Sequence, residues 1–291
     1  MNYLFIINPA SGNNTKNNTE KIIHRFAGKQ KLVYKIYKTK GSGDKSGIQH
    51  LIKNYKPTAI IVAGGDGTIN LVGSLIINKQ ISLGILPTGS ANGLARSLNI
   101  PNNINKALEK TVQDKPKSLD AILLNNEYYC FHLSDTGINA RVVKRSEDED
   151  SKGILGYGKQ FIKEICSKNQ VFRFTLNVKD KTKKMKAEMV IIANTKNYGT
   201  GAIINPFGIP NDGNFEIIII KPYPWWQMIK IAFFILIGRF HKLQNVKVVS
   251  SDNAKIEFNK PRTIQIDGEL VEQIRIVNLQ IIPEAISVFY K

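Results

Sequence analysis

The chain has 291 residues, enough for one large domain or two ordinary ones, each with a sizeable core. Its 41 Lys and Arg against 23 Asp and Glu give a formal charge of +18, which implies acidic partners: nucleic acid, anionic membrane or phosphorylated ligands. Aromatics are not interleaved with the lysines as a base-stacking platform requires, which argues against nucleic acid, and the longest apolar run, 229–237, is too short to cross a bilayer.

Taken in chain order, the first part alternates strand and helix. Strand 3–7 runs into Asn8-Pro9-Ala10-Ser11-Gly12 and stops there, too early for a signal peptide. A helix from about Thr19, a strand over 31–37 and a helix from about Asp44 follow, with Thr39 just ahead of Lys40-Gly41-Ser42-Gly43. Strand 59–63 ends in Gly64-Gly65-Asp66-Gly67-Thr68, and Thr68 is placed to cap a helix over 68–78 that opens Ile69-Asn70. Strand 82–86 meets Pro87-Thr88-Gly89-Ser90-Ala91-Asn92-Gly93, which opens a helix over 90–98, and another helix is expected near 103–112. Such alternation predicts a parallel sheet covered by helices.

From Ser118 the pattern becomes one of hairpins. Strands are expected at 118–124, 128–134, 171–178, 187–193, 214–220, 246–250, 254–258 and 262–267, with helical segments near 154–167 and 225–238. Lys179, Lys181, Lys183, Lys184 and Lys186 read as a solvated hairpin tip between 171–179 and 187–193, and the acidic stretch 146–152 as a mobile loop. The apolar residues of 225–238 wrap around the segment, which favours a buried helix, although Trp225 and Trp226 beside lysines also fit an interfacial one. Cys130 and Cys166 form no Cys-x-x-Cys pair and read as buried thiols in a reducing cytoplasm.

The strongest chemical signal is Gly64–Thr68. Strand, glycine loop and helix present backbone N–H groups to a phosphate, because glycines let the main chain approach and a helix N-terminus favours an anion. Asp66 in such a loop would repel phosphate directly, so it is better explained as organising Mg²⁺ through water or polarising a nucleophile. The pentapeptide is neither a Walker A loop nor a dinucleotide fingerprint, and by itself it is nearly as well read as a plain turn. The loop at 87–93, with Ser90, and the weaker one at 8–12 tip the balance. Three such loops on one sheet would form a nucleotide cleft at its carboxyl edge.

These three motifs, in this order, resemble the diacylglycerol kinase catalytic domain family, which includes bacterial lipid kinases and sphingosine kinases, with NAD kinases as distant relatives. The resemblance continues through Asn194–Gly201, Pro206, Asn211–Glu216 and Ile264–Glu269. It implies an α/β plus β-rich fold: a doubly wound, parallel-sheet nucleotide domain over 1–124, with 278–291 folding back onto it, and an antiparallel β-sandwich-like domain over 125–277. It implies an ATP- and Mg²⁺-dependent transfer of the γ-phosphate to a lipid hydroxyl. Diacylglycerol is the first expectation for the acceptor and a sphingoid base the second. NAD kinase, or a silent lipid- or nucleotide-binding regulator, stays open.

Under the resemblance, ATP is cradled by Asn8, Pro9, Ala10, Ser11, Gly12, Thr39, Gly64, Gly65, Asp66, Gly67, Thr68, Ile69, Asn70 and Ser90. Mg²⁺ falls to Asp212 with main-chain oxygens of Ile209 and Asn214, extended by Asp66 and Asp120. Read alone, Asp212-Gly213 is a simple turn. Glu269 becomes the acceptor of the hydroxyl proton, with Asp66 also catalytic, although Asp267-Gly268-Glu269 read alone is an ordinary hairpin turn. Several positions depart from the family pattern: Gly93 follows Asn92 where bacterial diacylglycerol kinases commonly carry Asp, Leu71 replaces a frequent Glu, and His132 replaces a frequent Asn. The expected setting is cytoplasmic, peripherally associated with the anionic inner face of a membrane that holds the lipid substrate. A homodimer is left open.

Overall fold

The structure, a computed structural model, describes residues 1–12, 16–137, 171–198, 202–227, 230, 231, 234 and 238–290. The expected helix near 154–167, the acidic loop 146–152 and Cys166 lie outside the described residues, as does most of 228–237. The chain divides into two compact units, Met1–Leu119 with Glu284–Lys291, and Asp120–Pro283.

In the first unit β1 (Asn2–Ile7), α1 (Lys16–Lys29), β2 (Val33–Lys38), α2 (Asp44–Tyr55), β3 (Ala59–Gly64), α3 (Asp66–Leu75) and β4 (Ser82–Pro87) alternate, followed by α4 (Gly93–Ser97) and α5 (Ile104–Gln113). β1 lies between β2 and β3, and β3 between β1 and β4, all parallel. Ile60, Ile61 and Val62 are fully buried, as are Leu4 and Ile6. Strands covered on both faces need apolar residues at every position, which is why they read as unbroken runs. Each such side chain contributes about 1.5–3 kcal/mol over its exposed state. The C-terminal segment completes the sheet: Ser287 and Val288 pair in parallel with Ser82 and Leu83, and the Tyr290 hydroxyl donates to Ser118 O at 2.8 Å.

α3 starts two residues earlier than its expected cap. Asp66 is its first residue and Gly65 its N-cap, so Thr68 sits inside the first turn. α4 is confined to Gly93–Ser97, because Asn92 takes a left-handed conformation at φ 51°.

The chain enters the second unit along β5 (Lys117–Leu124), which forms a hairpin with β6 (Tyr128–Cys130). β7 (Leu133–Thr136), β8 (Phe172–Val178), β9 (Lys181–Ala187), β10 (Met189–Ala193), the short β11 (Asn197–Tyr198) and β12 (Ala202–Ile203), β13 (Phe215–Ile220), β14 (Val246–Ser251), β15 (Asn253–Ile266) and β16 (Glu269–Val288) follow. Antiparallel pairing runs β14-β13-β10-β7-β15, and β15 also pairs with β16 and with β8. Successive residues of β10 and β13 serve two cores. Val190, Ile192, Phe215, Ile217 and Ile219 face one with Phe174, Ile256 and Phe258. Met189, Ile191, Ile218 and Ile220 face the other with Ile231, Phe240 and Leu243. The run Phe215–Ile220 is buried at every position for that reason.

Several sequence expectations shift here. The lysines of 181–186 stand on β9 and form no hairpin tip; the turn is Lys179-Asp180, both at positive φ (47° and 59°). Among the described residues β9 pairs only with β8, and an edge strand tolerates a charged row that a central strand would reject. The expected strand 128–134 breaks into β6 and β7, because the amides at 131–133 turn toward a carboxylate described below. The runs 254–258 and 262–267 merge into β15, with an irregularity between Glu257 and Arg262. The segment 225–238 opens with a single tight turn over Trp225–Gln227 and leaves Trp226 exposed, while Ile231 is buried.

Candidate active site

In the first unit the loops after β1, β3 and β4 are fastened to one another at the carboxyl edge of the sheet. Asn8 Nδ2 donates to Thr68 Oγ1 at 2.9 Å, and Asn8 Oδ1 accepts from Ala10 N at 2.9 Å. The Ser11 and Thr88 hydroxyls are 2.9 Å apart, joining the first loop to the third. The β3 and β4 loops touch main chain to main chain. A Cβ on Gly89 would lie 2.4 Å from Gly65 Cα, closer than atoms can approach, so only glycine fits. Gly89 is held in turn by Asn92, whose Oδ1 accepts from Gly89 N at 2.8 Å and whose Nδ2 donates to Gly89 O at 2.7 Å.

Asp66 supplies the strongest fastening. Its Oδ2 accepts from Gly93 N at 2.8 Å and its Oδ1 from Leu94 N at 3.0 Å. Those are the first two amides of α4, which have no partner within that helix. The charge that would repel a phosphate is thus turned onto two N–H donors, and charge-assisted bonds of this kind exceed neutral ones in strength. Both oxygens of Asp66 have main-chain partners, an arrangement that the motif itself did not announce.

The remaining cradle residues fall as follows. Pro9, Ala10 and Ser90 are exposed at loop tips, and Gly12 sits at φ 73°. Gly67 and Asn70 are half-buried in α3, whereas Ile69 is buried in the core and can offer a ligand only its main chain. Thr39 N donates to Ile7 O at 2.9 Å, which places it beside the β1 loop. Asp44, which the sequence reading passed over, shapes the segment that follows Thr39. Its carboxylate accepts from Lys40 N (2.9 Å), Gly41 N (2.8 Å) and the Tyr37 hydroxyl (3.0 Å). Burial pushes the Asp44 pKa upward, but these hydrogen bonds and the Lys40 charge outweigh it and hold the carboxyl below its ordinary value. An Asp at a helix start just after a Gly-Ser-Gly stretch was the available signal.

In the second unit Glu269 begins β16, directly after the turn at Asp267 (φ 46°) and Gly268 (φ 99°). Solvent reaches it, while the packing around it and then the neighbouring Asp267 charge raise its pKa above that of an ordinary glutamate. Asp267 is buried and anchors the turn. It accepts from Phe131 N at 2.7 Å and from His132 N and Leu133 N at 3.0 Å each. Burial, and after it Asp267, pushes the Cys130 thiol well up, so this residue is an inert neighbour. His132, given no role from sequence, is buried with Nδ1 2.6 Å from Thr195 Oγ1.

The turn assigned to metal is tied to Asp120, whose Oδ2 accepts from Gly213 N at 2.8 Å. Asp212 Oδ1 accepts from Asn214 N at 3.0 Å, and Asn214 Nδ2 donates to Asp212 O at 3.1 Å, while Ile209 is exposed. Asp212, Asn214 and Asp120 therefore do come together. Among the described residues no group of three His, Cys, Asp or Glu could hold a metal ion, so this turn offers one carboxylate and main-chain oxygens. Glu216, also missed, is buried nearby; burial raises its pKa against hydrogen bonds from Asn205 and Ser250, and Asp212 adds to the rise.

Comparison with known proteins reads both units. Residues 2–124 match the model of the diacylglycerol kinase catalytic domain, and residues 133–290 match that of the YegS C-terminal NAD kinase beta sandwich-like domain. A protein of Yersinia pseudotuberculosis described as a probable YegS-like lipid kinase is 27% identical over 238 residues, covering 79% of this chain and 78% of that one. Its counterpart in Yersinia enterocolitica is 26% identical, covering 78% and 77%. Among solved structures, one described as a diacylglycerol kinase from Bacillus anthracis aligns over 100% of this chain and 97% of its own, with a TM-score of 0.79 at 18% identity. A second structure from that organism gives 0.82 at 20% identity, with the same coverage.

Proposed function

This chain belongs to the diacylglycerol kinase family, and on that premise we propose that it is a lipid kinase that moves the γ-phosphate of ATP to the hydroxyl of diacylglycerol, giving phosphatidic acid. The observation that carries the reading is the fastening of three strand-end loops by Asn8–Thr68, Ser11–Thr88 and Asp66–Gly93, with Gly65 and Gly89 in backbone contact. Glycine lets the main chains of the β3 and β4 loops come into contact, and the N-terminus of the ten-residue α3 adds a field that favours an anion. These residues fit a nucleotide.

Phosphoryl transfer needs positioning and electrostatic stabilisation more than covalent help. Asn8, Ser11, Thr68 and Thr88 would hold the phosphates through a prearranged hydroxyl and amide network, and Thr39 would contact the nucleotide from the neighbouring loop. Asp66 keeps the network closed by capping α4. Glu269 would take the proton of the attacking hydroxyl, and its raised pKa brings its basicity closer to neutral pH. Mg²⁺ would neutralise charge on the phosphate oxygens, and the Asp212 turn, with Ile209 and Asn214, fits an ion that keeps most of its waters.

Among the described residues no helix is long and apolar enough to cross a membrane. We assign the protein a peripheral location on the membrane that holds its lipid. The test is to incubate it with labelled ATP, Mg²⁺ and, separately, diacylglycerol, sphingosine, ceramide and NAD. Label in phosphatidic acid supports the proposal, label in sphingosine phosphate or NADP reassigns the acceptor, and no label in any arm overturns the kinase reading.

A further inference from the structure

Among the described residues of the second unit, β9 and its neighbours carry a run of basic side chains. Lys181, Lys183, Lys184 and Lys186 are all exposed on this seven-residue edge strand. Lys186 faces Arg173 and Lys184 faces Thr175 across the β8 ladder, so their side chains share one face of the sheet. That face holds a groove of about 650 Å³ whose lining includes the charged Arg173, Lys184, Lys186, Glu257 and Arg275 together with Phe174 and Phe258, both buried. Its one carboxylate, Glu257, is already matched by Arg275 at 3.9 Å. Among the described residues, Arg173 and the four lysines have no carboxylate within ion-pairing distance.

The opposite side of the strand is basic as well. The ammonium of Lys247 on β14 is destabilised by burial and then by the charges of Lys183 and Lys221, with no carboxylate among the described residues to offset them. Mutually repelling cations cost folding energy wherever they crowd. A charged side chain on an edge strand already opposes edge-to-edge pairing. A row about 20 Å long, basic on both sides and continued across β8, exceeds that need.

We propose that β9 and the adjoining face of β8 are the surface by which this protein docks on anionic lipid. The partner follows from charge complementarity. The surface offers spaced ammonium and guanidinium groups and no exposed aromatic platform, which suits a two-dimensional array of phosphates better than stacked bases. This deepens the lipid kinase reading and rests on it only for the choice of lipid over other polyanions. Attraction falls off within about 8 Å at physiological salt, so docking brings this face to the headgroups without burying it.

The test needs no ATP. Co-sedimentation with phosphatidylglycerol vesicles, and with phosphatidylcholine vesicles as the neutral arm, is measured for the full chain, for a variant with Lys181→Gln, Lys183→Gln, Lys184→Gln and Lys186→Gln, and for one with Lys21→Gln, Lys29→Gln, Lys45→Gln and Lys53→Gln. The second set removes the same charge from exposed positions of α1 and α2. At about fivefold per charge, the β9 variant should lose more than a hundredfold in partition to the anionic vesicles. The α1–α2 variant should stay within a few fold of the parent, both should keep the parent's circular dichroism, and the thermal midpoint of the β9 variant should be no lower than the parent's, since the substitutions relieve repulsion. Equal loss from the two variants, or retained binding by the β9 variant, overturns the proposal. Tighter binding of the same face to a duplex oligonucleotide than to the vesicles at equal salt overturns the choice of lipid. Kinase activity on a short-chain soluble acceptor is a separate readout: its absence in the parent would count against the kinase reading and leave the vesicle result standing.

Discussion

Asp66 Oδ2 accepts the amide of Gly93 at 2.8 Å, so the first residue of one helix caps the first residue of another. The carboxylate that seemed out of place in a phosphate loop is the clasp between the loops after β3 and β4. Asp66→Asn keeps one acceptor but turns an NH₂ group toward the second amide, donor against donor. The expected cost is about 1–3 kcal/mol in unfolding free energy. A fall in phosphoryl transfer of about 10–100-fold should accompany it, as the cradle loosens. Urea unfolding and steady-state kinetics on the same preparation check this, and unchanged values in both would remove Asp66 from any role.

Glu269 should show its role in the pH profile. Burial first, and Asp267 second, raise its pKa, so the base becomes available only as pH climbs through that raised value and the rate rises there. Glu269→Gln should flatten this limb and lower the single-turnover rate by about 10²–10⁴-fold, with ATP affinity unchanged. The stability effect has the opposite sign. A group whose folded pKa is raised favours the protonated state, so ionisation at higher pH weakens the fold, and the Gln variant should be no less stable than the parent at neutral pH. Collapse of ATP affinity with chemistry still fast would make Glu269 a binding residue.

Asp267 is a structural anchor by this reading. Asp267→Ala strands the buried amides of Phe131, His132 and Leu133 together, and each lost partner costs about 1–3 kcal/mol. A loss above about 3 kcal/mol is expected, seen as a lower denaturant midpoint at constant slope. A loss under about 1 kcal/mol would mean that those amides find other partners.

Gly89→Ala forces a Cβ against the Gly65 backbone and should raise the KM for ATP at least tenfold, because the two loops must part. Gly28→Ala is the matched control. It lies in α1 with nothing within 4 Å of the new methyl, and should stabilise by about 0.4–1 kcal/mol without touching kinetics. Equal ATP KM values in the two variants would show that loop contact is unimportant to nucleotide binding.

Much of this protein was legible along the chain. β1, β3 and β4 announce themselves because strands buried on both faces must be apolar throughout, and their glycine loops follow within a few residues. The Asp267-Gly268 turn was equally plain, since positive φ selects such residues locally. What the chain did not disclose are partners chosen by tertiary contact. Gly93 is 27 residues from the Asp66 carboxylate that binds it, and the Asp267 anchor reaches back 136 residues to Phe131. The lysines of β9 read as a turn because a row of charges looks alike in a loop and on an edge strand. The deciding fact, that among the described residues β9 has a neighbour on one side only, belongs to the sheet. Local backbone preference is written in neighbouring residues, whereas the acceptor of a hydrogen bond is settled only when distant segments pack together.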